Sequence, residues 1–415
     1  MRFFFYSHDG MGLGHVRRHI AIAAALHETS PEIQILLATS VDEVASLGLP
    51  PNVDTLKLPG LRKIANTQYA GRRLGIPSGD MHNLRSAVLC EAVNAFRPDL
   101  VLVDKHPFGA AGELTPALNV AKAAGARLVL GLRDVLDDPA VVKREWTRDR
   151  LQDRVCDYFD LALVYGVRSI FDPIERYQLP TELAIRTKYC GYVVNQASCP
   201  WCSNGCPHLT ALEPVSHPTV LCTVGGGEDG FFLLKSFLSA AADAPWKGIA
   251  VTGPMLPEHE LKMVRQMAAD TDVVIQPFAP CLSSLFWTVD ALVCMGGYNT
   301  VLEALSKGVP TVCVPRTSPR SEQLIRASAF QELGLLRMVA PDVLTPNGLN
   351  NEIAAALQLK RTELLERANE ILNFDGAHAS ARYLLALLAE ERRSQEFSDE
   401  LAEPAPVPAS LVEPG

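Results

Sequence analysis

The residues best suited to chemistry gather at glycine turns. Ser7-His8-Asp9-Gly10-Met11-Gly12-Leu13-Gly14-His15 follows the first apolar run of the chain. Its glycines let the backbone turn tightly and approach a ligand closely. A helix that follows such a turn offers unpaired N–H groups and the positive end of its dipole. His8, Asp9 and His15 place titratable groups beside the turn. With an ordinary pKa of about 6.5, histidine suits general-base work at neutral pH. His15 and Asp9 are therefore the candidate catalytic residues, and His8 is a rival. A dinucleotide-binding loop is the competing reading. That loop wants Gly-x-Gly-x-x-Gly and an acid closing the second strand. Here the third glycine comes one residue early, and the second apolar run ends in Thr39-Ser40.

Two further turns lie in the second half of the chain. Gly225, Gly226 and Gly227 follow the apolar run 219–224, and three such glycines can cradle phosphate oxygens with backbone N–H groups. Glu228 and Asp229 come next and either oppose an anion or cap the following helix. Gly296-Gly297-Tyr298-Asn299-Thr300 follows the run 291–294. There Asn299 or Thr300 reads as the cap of a short helix that Gly308 ends. Glu303 lies one turn in, where a carboxylate can accept bonds from a vicinal diol such as a ribose. Glu322 and Gln323 sit near a helix start just beyond another strand end and could bind sugar hydroxyls, or form a solvated first turn.

Turns of this kind need strands and helices to aim them. The segments 3–6, 33–38, 100–103, 128–132 and 161–164 are short, continuous and apolar, as parallel strands covered on both faces must be. Helical patterns over 19–29, 83–96 and 110–124 alternate with them, which implies a parallel sheet. The alternation breaks at 196–217, rich in Cys and Pro, and resumes with 219–224, 248–252, 273–276, 291–294 and 311–314. The expected organisation is an N-terminal α/β domain over 1–195, a Cys-rich linker or insertion over 196–217, and a C-terminal α/β domain over 218–372. A C-terminal helix over 373–393 and a disordered, Pro-rich tail over 394–415 complete it. Ligands of parallel sheets sit beyond the carboxyl ends of the strands. Two facing α/β/α domains would therefore hold their ligand in a cleft between them.

Composition narrows the function classes. The chain has 415 residues, 48% of them hydrophobic, enough for two domains at about 100–200 residues each. Its net charge of -9 argues against a protein devoted to wrapping nucleic acid. No run reaches the ~18–20 apolar residues of a spanning helix. No secretory signal is visible, and 10 scattered cysteines fit a reducing cytoplasm. Cys199, Cys202, Cys206 and His208 could hold a structural zinc, although free thiols are the other reading. Asp270-Thr-Asp272 precedes a strand, so it reads as a solvated turn rather than a metal motif. Arg62, Lys63, Arg72 and Arg73 form a basic stretch that reads as a long loop, either solvated or bordering an anionic acceptor or a membrane surface.

Together these turns resemble the GT-B glycosyltransferases of family 28. Gly12-Leu13-Gly14-His15 is similar to the family's N-terminal glycine loop, and Gly225-Gly226-Gly227 to its interdomain loop. Gly296-Gly297-Tyr298-Asn299-Thr300 through Glu303 and Pro310, then Glu322-Gln323 and Arg326-Ala327, resembles its donor-binding region. The resemblance implies two Rossmann-like domains, with a nucleotide diphosphate-sugar, by default UDP-linked, on the C-terminal one. It implies an unknown acceptor on the N-terminal one: lipid-linked, saccharide or small molecule. By this analogy Glu303 takes the ribose, Thr300 and the glycine turns the diphosphate, and Gln323 the donor sugar. Gly12, Gly14 and the basic stretch fall on the acceptor side. The implied reaction is inverting and needs no cofactor for its chemistry. An epimerase of the same architecture and a non-catalytic nucleotide-sugar binder remain the alternatives. Glu228-Asp229 and the Cys-rich segment depart from the family pattern.

Overall fold

Phe3-Phe4-Phe5-Tyr6 can only be a central strand, because all four side chains are buried. Phe3 and Phe5 pack on one face and Phe4 and Tyr6 on the other, as the two-residue period of a strand requires. A computed structural model describes residues 1–7, 13–65, 68–148, 150–195, 217–279, 282–318 and 320–402.

The N-terminal half holds strands β1 (Arg2–Tyr6), β2 (Gln34–Thr39), β3 (Val53–Lys57), β4 (Leu61–Ala65), β5 (Gln68–Gly71), β6 (Leu100–Asp104), β7 (Arg127–Arg133), β8 (Leu161–Tyr165) and β9 (Thr187–Tyr189). Its helices are α1 (Gly14–Thr29), α2 (Ser78–Phe96), α3 (Thr115–Ala123), α4 (Pro139–Arg148), α5 (Leu151–Tyr158), α6 (Pro173–Tyr177) and α7 (Thr181–Ile185). The second half holds β10 (Thr219–Thr223), β11 (Lys247–Val251), β12 (Val273–Gln276), β13 (Ala291–Cys294), β14 (Thr311–Cys313) and β15 (Arg337–Met338). Its helices are α8 (Phe231–Ala241), α9 (Glu258–Ala268), α10 (Leu282–Leu285), α11 (Tyr298–Leu305), α12 (Glu322–Glu332), α13 (Pro346–Leu357), α14 (Arg361–Ile371) and α15 (Gly376–Ala402).

The first sheet runs β3-β2-β1-β6-β7-β8-β9 and the second β12-β11-β10-β13-β14-β15. Every pairing in the two is parallel. Each order reverses once, between β1 and β6 and between β10 and β13. That reversal opens the crevice where doubly wound sheets bind ligands. The glycine turns after β10 and β13 lie there, as do Leu13 and Gly14 at the start of α1. One apolar cluster passes from Phe3 and Phe5 of the first half to Leu292 and Phe330 of the second.

Two expectations are corrected. The basic stretch is not a long loop: Leu61–Ala65 and Gln68–Gly71 pair antiparallel as β4 and β5. The disordered tail expected from Ser394 does not begin there, because α15 continues to Ala402. That helix crosses back to pack on α1 of the first half. Its approach is guided by an antiparallel bridge between Val193 and Asp375. The segment 196–216, with Cys199, Cys202, Cys206 and His208, lies outside the described residues, as do His8, Asp9 and Gly12.

Candidate active site

A cleft of about 320 Å³ separates the two halves at the carboxyl ends of their strands. Three helices begin on it, α1, α11 and α12, and a fourth, α8, follows the glycine loop that lines it. No side chain caps any of the four. The Ser321 N–H that opens α12 donates to Asp137 Oδ1 at 2.8 Å, and the helix dipoles aim their positive ends at the cleft. Asn299 or Thr300 was the expected cap of α11, but its N-cap is Gly297. Asn299 instead reaches across to donate to the Gly14 carbonyl at 3.2 Å.

The glycine loop after β10 lines the second-half wall through Gly225, Gly226 and Gly227. Gly227 has φ +98, and an added Cβ there would meet the Thr252 carbonyl oxygen at 2.4 Å. Gly297, Asn299, Thr300, Glu322 and Gln323 share that wall. Gly296 sits behind it, where a Cβ would press on Cys313 Sγ. The acids after the loop do not face the cleft unopposed. Asp229 pairs with Arg316 at 2.5 Å, and the same guanidinium holds Glu322 at 2.8 Å. Gln323 accepts a bond from the Arg316 N–H at 3.0 Å.

Glu303 is placed differently from a free ribose ligand. It is 1% exposed, does not line the cleft, and accepts both bonds of an Arg17 guanidinium at 3.0 and 3.1 Å. The pair ties α1 to α11.

His15 faces the cleft from the first turn of α1, with its side chain 13% exposed. Its Nδ1 lies 3.1 Å from Asp104 Oδ2, and Arg18 donates to the same oxygen at 2.6 Å. Burial would raise the Asp104 carboxyl, but Arg18 and His15 outweigh it and hold Asp104 ionised. An ionised Asp104 selects the tautomer in which Nδ1–H donates, leaving a lone pair on Nε2. Burial lowers the His15 pKa to about 3, against the opposing pull of Asp104. The imidazole is thus neutral well below neutral pH, where an ordinary value was expected. His19 is likewise buried and lowered to about 4.

The basic stretch is not gathered on the cleft. Arg62, Arg72 and Arg73 do not line it, and Arg73 is exposed and pairs with Asp42 at 2.9 Å. Lys63 lies in β4. Of this hairpin, Tyr69 reaches the cleft. Asp104, Lys105, Arg133 and Arg316 line or support it and were missed as site residues. Asp104 and Arg133 end apolar strands, Lys105 directly follows one and Arg316 comes shortly after β14, and that position was the available signal. Among the described residues no cluster of His, Cys, Asp or Glu could hold a metal ion. No helix of the described residues is long and apolar enough to cross a membrane.

Comparison with known proteins fits this architecture. The glycosyltransferase family 28 C-terminal domain matches residues 221–381. A relative from Mycobacterium tuberculosis (strain ATCC 25618 / H37Rv) is 26% identical over 170 residues, 40% of this chain. It is named UDP-N-acetylglucosamine--N-acetylmuramyl-(pentapeptide) pyrophosphoryl-undecaprenol N-acetylglucosamine transferase, and the match spans 42% of its length. The crystal structure of the calicheamicin glycosyltransferase CalG4 superposes with TM-score 0.59 and 18% identity, over 94% of this chain and 98% of that one. That of Acinetobacter baumannii MurG does so with TM-score 0.56 and 15% identity, over 93% and 99%. Residues 221–381 match the glycosyltransferase family 28 C-terminal domain, and the chain as a whole has the GT-B fold of the glycosyltransferases it superposes on.

Proposed function

We propose that the chain transfers a sugar from a nucleotide diphosphate-sugar to an acceptor hydroxyl, with inversion and without a catalytic metal. One observation carries the reading. The His15–Asp104 dyad on one wall faces uncapped helix starts and glycine turns on the other. In this reading the backbone N–H groups of Gly225, Gly226, Gly227 and the first turn of α11, with Thr300, hold the diphosphate. Glu322 and Gln323 border the donor sugar. Glu303 takes a ribose only if it moves into the cleft and gives up part of its Arg17 pairing. His15 Nε2 takes the acceptor proton, and Asp104 stabilises the imidazolium that forms. Inversion follows if the base and the leaving diphosphate lie on opposite faces of the sugar.

UDP is the proposed nucleotide, supported by the name of the mycobacterial relative. The acceptor is proposed as lipid-linked or a small molecule, and exposed Leu74 and Ile76 beside Arg72 and Arg73 support a peripheral membrane contact. Cys199, Cys202, Cys206 and His208 are proposed as a structural zinc site. Purified protein would then carry about one zinc, lost in Cys202→Ser. The deciding experiment is product analysis with UDP-sugars and candidate acceptors. A transferred sugar with inverted anomeric configuration is expected. Epimerised donor, or donor bound and returned unchanged, overturns the reading.

A further inference from the structure

Two cations stand at the carboxyl ends of neighbouring strands in the first-half wall of the cleft. Lys105 follows β6 directly, and Arg133 is the last residue of β7. The strands pair in register, and the Lys105 N–H donates to the Gly131 carbonyl at 2.8 Å. Both side chains line the cleft.

What sets them apart is the absence of a partner. Among the described residues neither side chain makes a hydrogen bond or ion pair, and Arg133 Nε is buried and unsatisfied. Most of the surrounding carboxylates are held by other cations: Asp104 by Arg18, Asp134 by Arg326 and Asp137 by Arg320. Glu322 gives one oxygen to Arg316, and its other oxygen makes no hydrogen bond and acts on Arg133 and Lys105 only through its charge. The wall is left with positive charge in excess. Burial first, then Arg133 and Arg320, hold the Lys105 ammonium well below its ordinary value, against the weaker opposing pull of Glu322 and Asp104. A group placed among them with negative charge would relieve that repulsion.

The backbone adds an independent sign. Lys105 has φ +70, the left-handed region that a lysine rarely occupies. Strain of this kind persists where the surroundings over-determine it, and it collects at ligand sites. Lys105 lines the cleft from this backbone position.

We propose that Lys105 and Arg133 form an anion site that receives a phosphate-class group of a cleft ligand. Two sources share that chemistry: the diphosphate of the donor and a phosphate on the acceptor. The inference takes its ligand class from the nucleotide-sugar reading, but the site itself stands on the two unpartnered cations.

The test is calorimetric titration of the full chain with UDP, with inorganic pyrophosphate, and with pyrophosphate in the presence of saturating UDP. Lys105→Met and Arg133→Met are compared with wild type. Lys105→Arg and Arg133→Lys keep the charge and serve as folded controls, with melting temperature confirming each fold. Each Met variant is expected to weaken its anion at least about tenfold, the scale of a lost charge-assisted hydrogen bond, with the charge-keeping variants largely restored. Loss of UDP affinity assigns the site to the donor diphosphate. Unchanged UDP affinity with loss of the pyrophosphate that binds beside it assigns the site to the acceptor. A wild type that binds pyrophosphate through these residues but not UDP keeps the site and defeats the nucleotide reading. Met variants that bind both probes as tightly as wild type overturn the proposal, as does a wild type that binds neither.

Discussion

A histidine that accepts a proton must be neutral before it acts. Burial secures that for His15, lowering its pKa to about 3, while Asp104 fixes Nδ1 as the donor. His15→Ala is expected to lower turnover roughly 10²–10⁴-fold and leave UDP affinity nearly intact, because the proposed donor groups lie on the other wall. Steady-state kinetics with a parallel UDP titration check this, and lost UDP binding would move the α1 loop onto the diphosphate. The free-enzyme pH profile follows from the same residue. An ordinary histidine base gives kcat/KM an acid limb at about pH 6.5. Here kcat/KM should show no such limb from His15 between about pH 7.5 and 5. Stability moves in the opposite sense. His15 and His19 are lowered to about 3 and about 4 in the fold, whereas in the unfolded chain both titrate at about 6.5. The unfolded state therefore binds more protons below pH 6.5, so stability falls as pH drops from about 6.5 toward 4. Urea unfolding of His19→Leu across that window should show a shallower slope than wild type. His15 was legible from its glycine turn, but its partner Asp104 was not. The two are far apart in sequence, and they meet because β1 and β6 are neighbours.

The strands were the most legible elements, since burial on both faces makes each a short apolar run. The hairpin β4–β5 was not, because Leu61-Arg62-Lys63-Ile64-Ala65 carries adjacent basic residues and no clean alternation. α15 was read as ending early, because charged residues after Leu388 look like a tail when the α1 surface it packs on is unknown. The glycine loop after β10 was legible, although the sequence could not rank its members. Gly225 has φ +67 with open space around its missing Cβ, whereas Gly227 has φ +98 and backbone within 3 Å. Gly225→Ala should therefore cost about 1–2 kcal/mol, the strain of a left-handed alanine. Gly227→Ala must also displace the loop from Thr252 and Leu256, so it should cost more and weaken UDP as well. Equal losses in stability and in UDP binding for the two variants would mean that the loop does not rest on this close approach.

At the scale of the whole molecule, the two halves are held by charges that the sequence could not pair. Arg326 was legible as part of a family pattern, but nothing local pointed to Asp134. In the fold Arg326 donates to both oxygens of Asp134, at 2.9 and 2.7 Å, and also to the Gly296 carbonyl at 3.3 Å. Both side chains are buried, and the guanidinium stacks near the Tyr298 ring. Tyr298 in turn accepts from the Val193 N–H and donates to the Tyr165 carbonyl, each at 3.0 Å. One cluster therefore sets the height of the cleft, with Asp134 at the end of β7 and Gly296 at the end of β13. Removing one member leaves the other charge buried and unpaired, which costs about 3–5 kcal/mol. Asp134→Ala should lose stability on that scale. Replacing the pair together, Asp134→Leu with Arg326→Met, removes both charges and should recover much of the loss. A double-mutant cycle read by urea unfolding measures the coupling. Hydrogen exchange at the ends of β7 and β13 tells which loss it is. If the pair clasps the halves, Asp134→Ala raises exchange at both strand ends together, and UDP protection falls with it. Exchange raised in β7 alone, with a coupling near zero, would make Asp134 a local support of the first half and leave the closure to Arg17–Glu303 and α15.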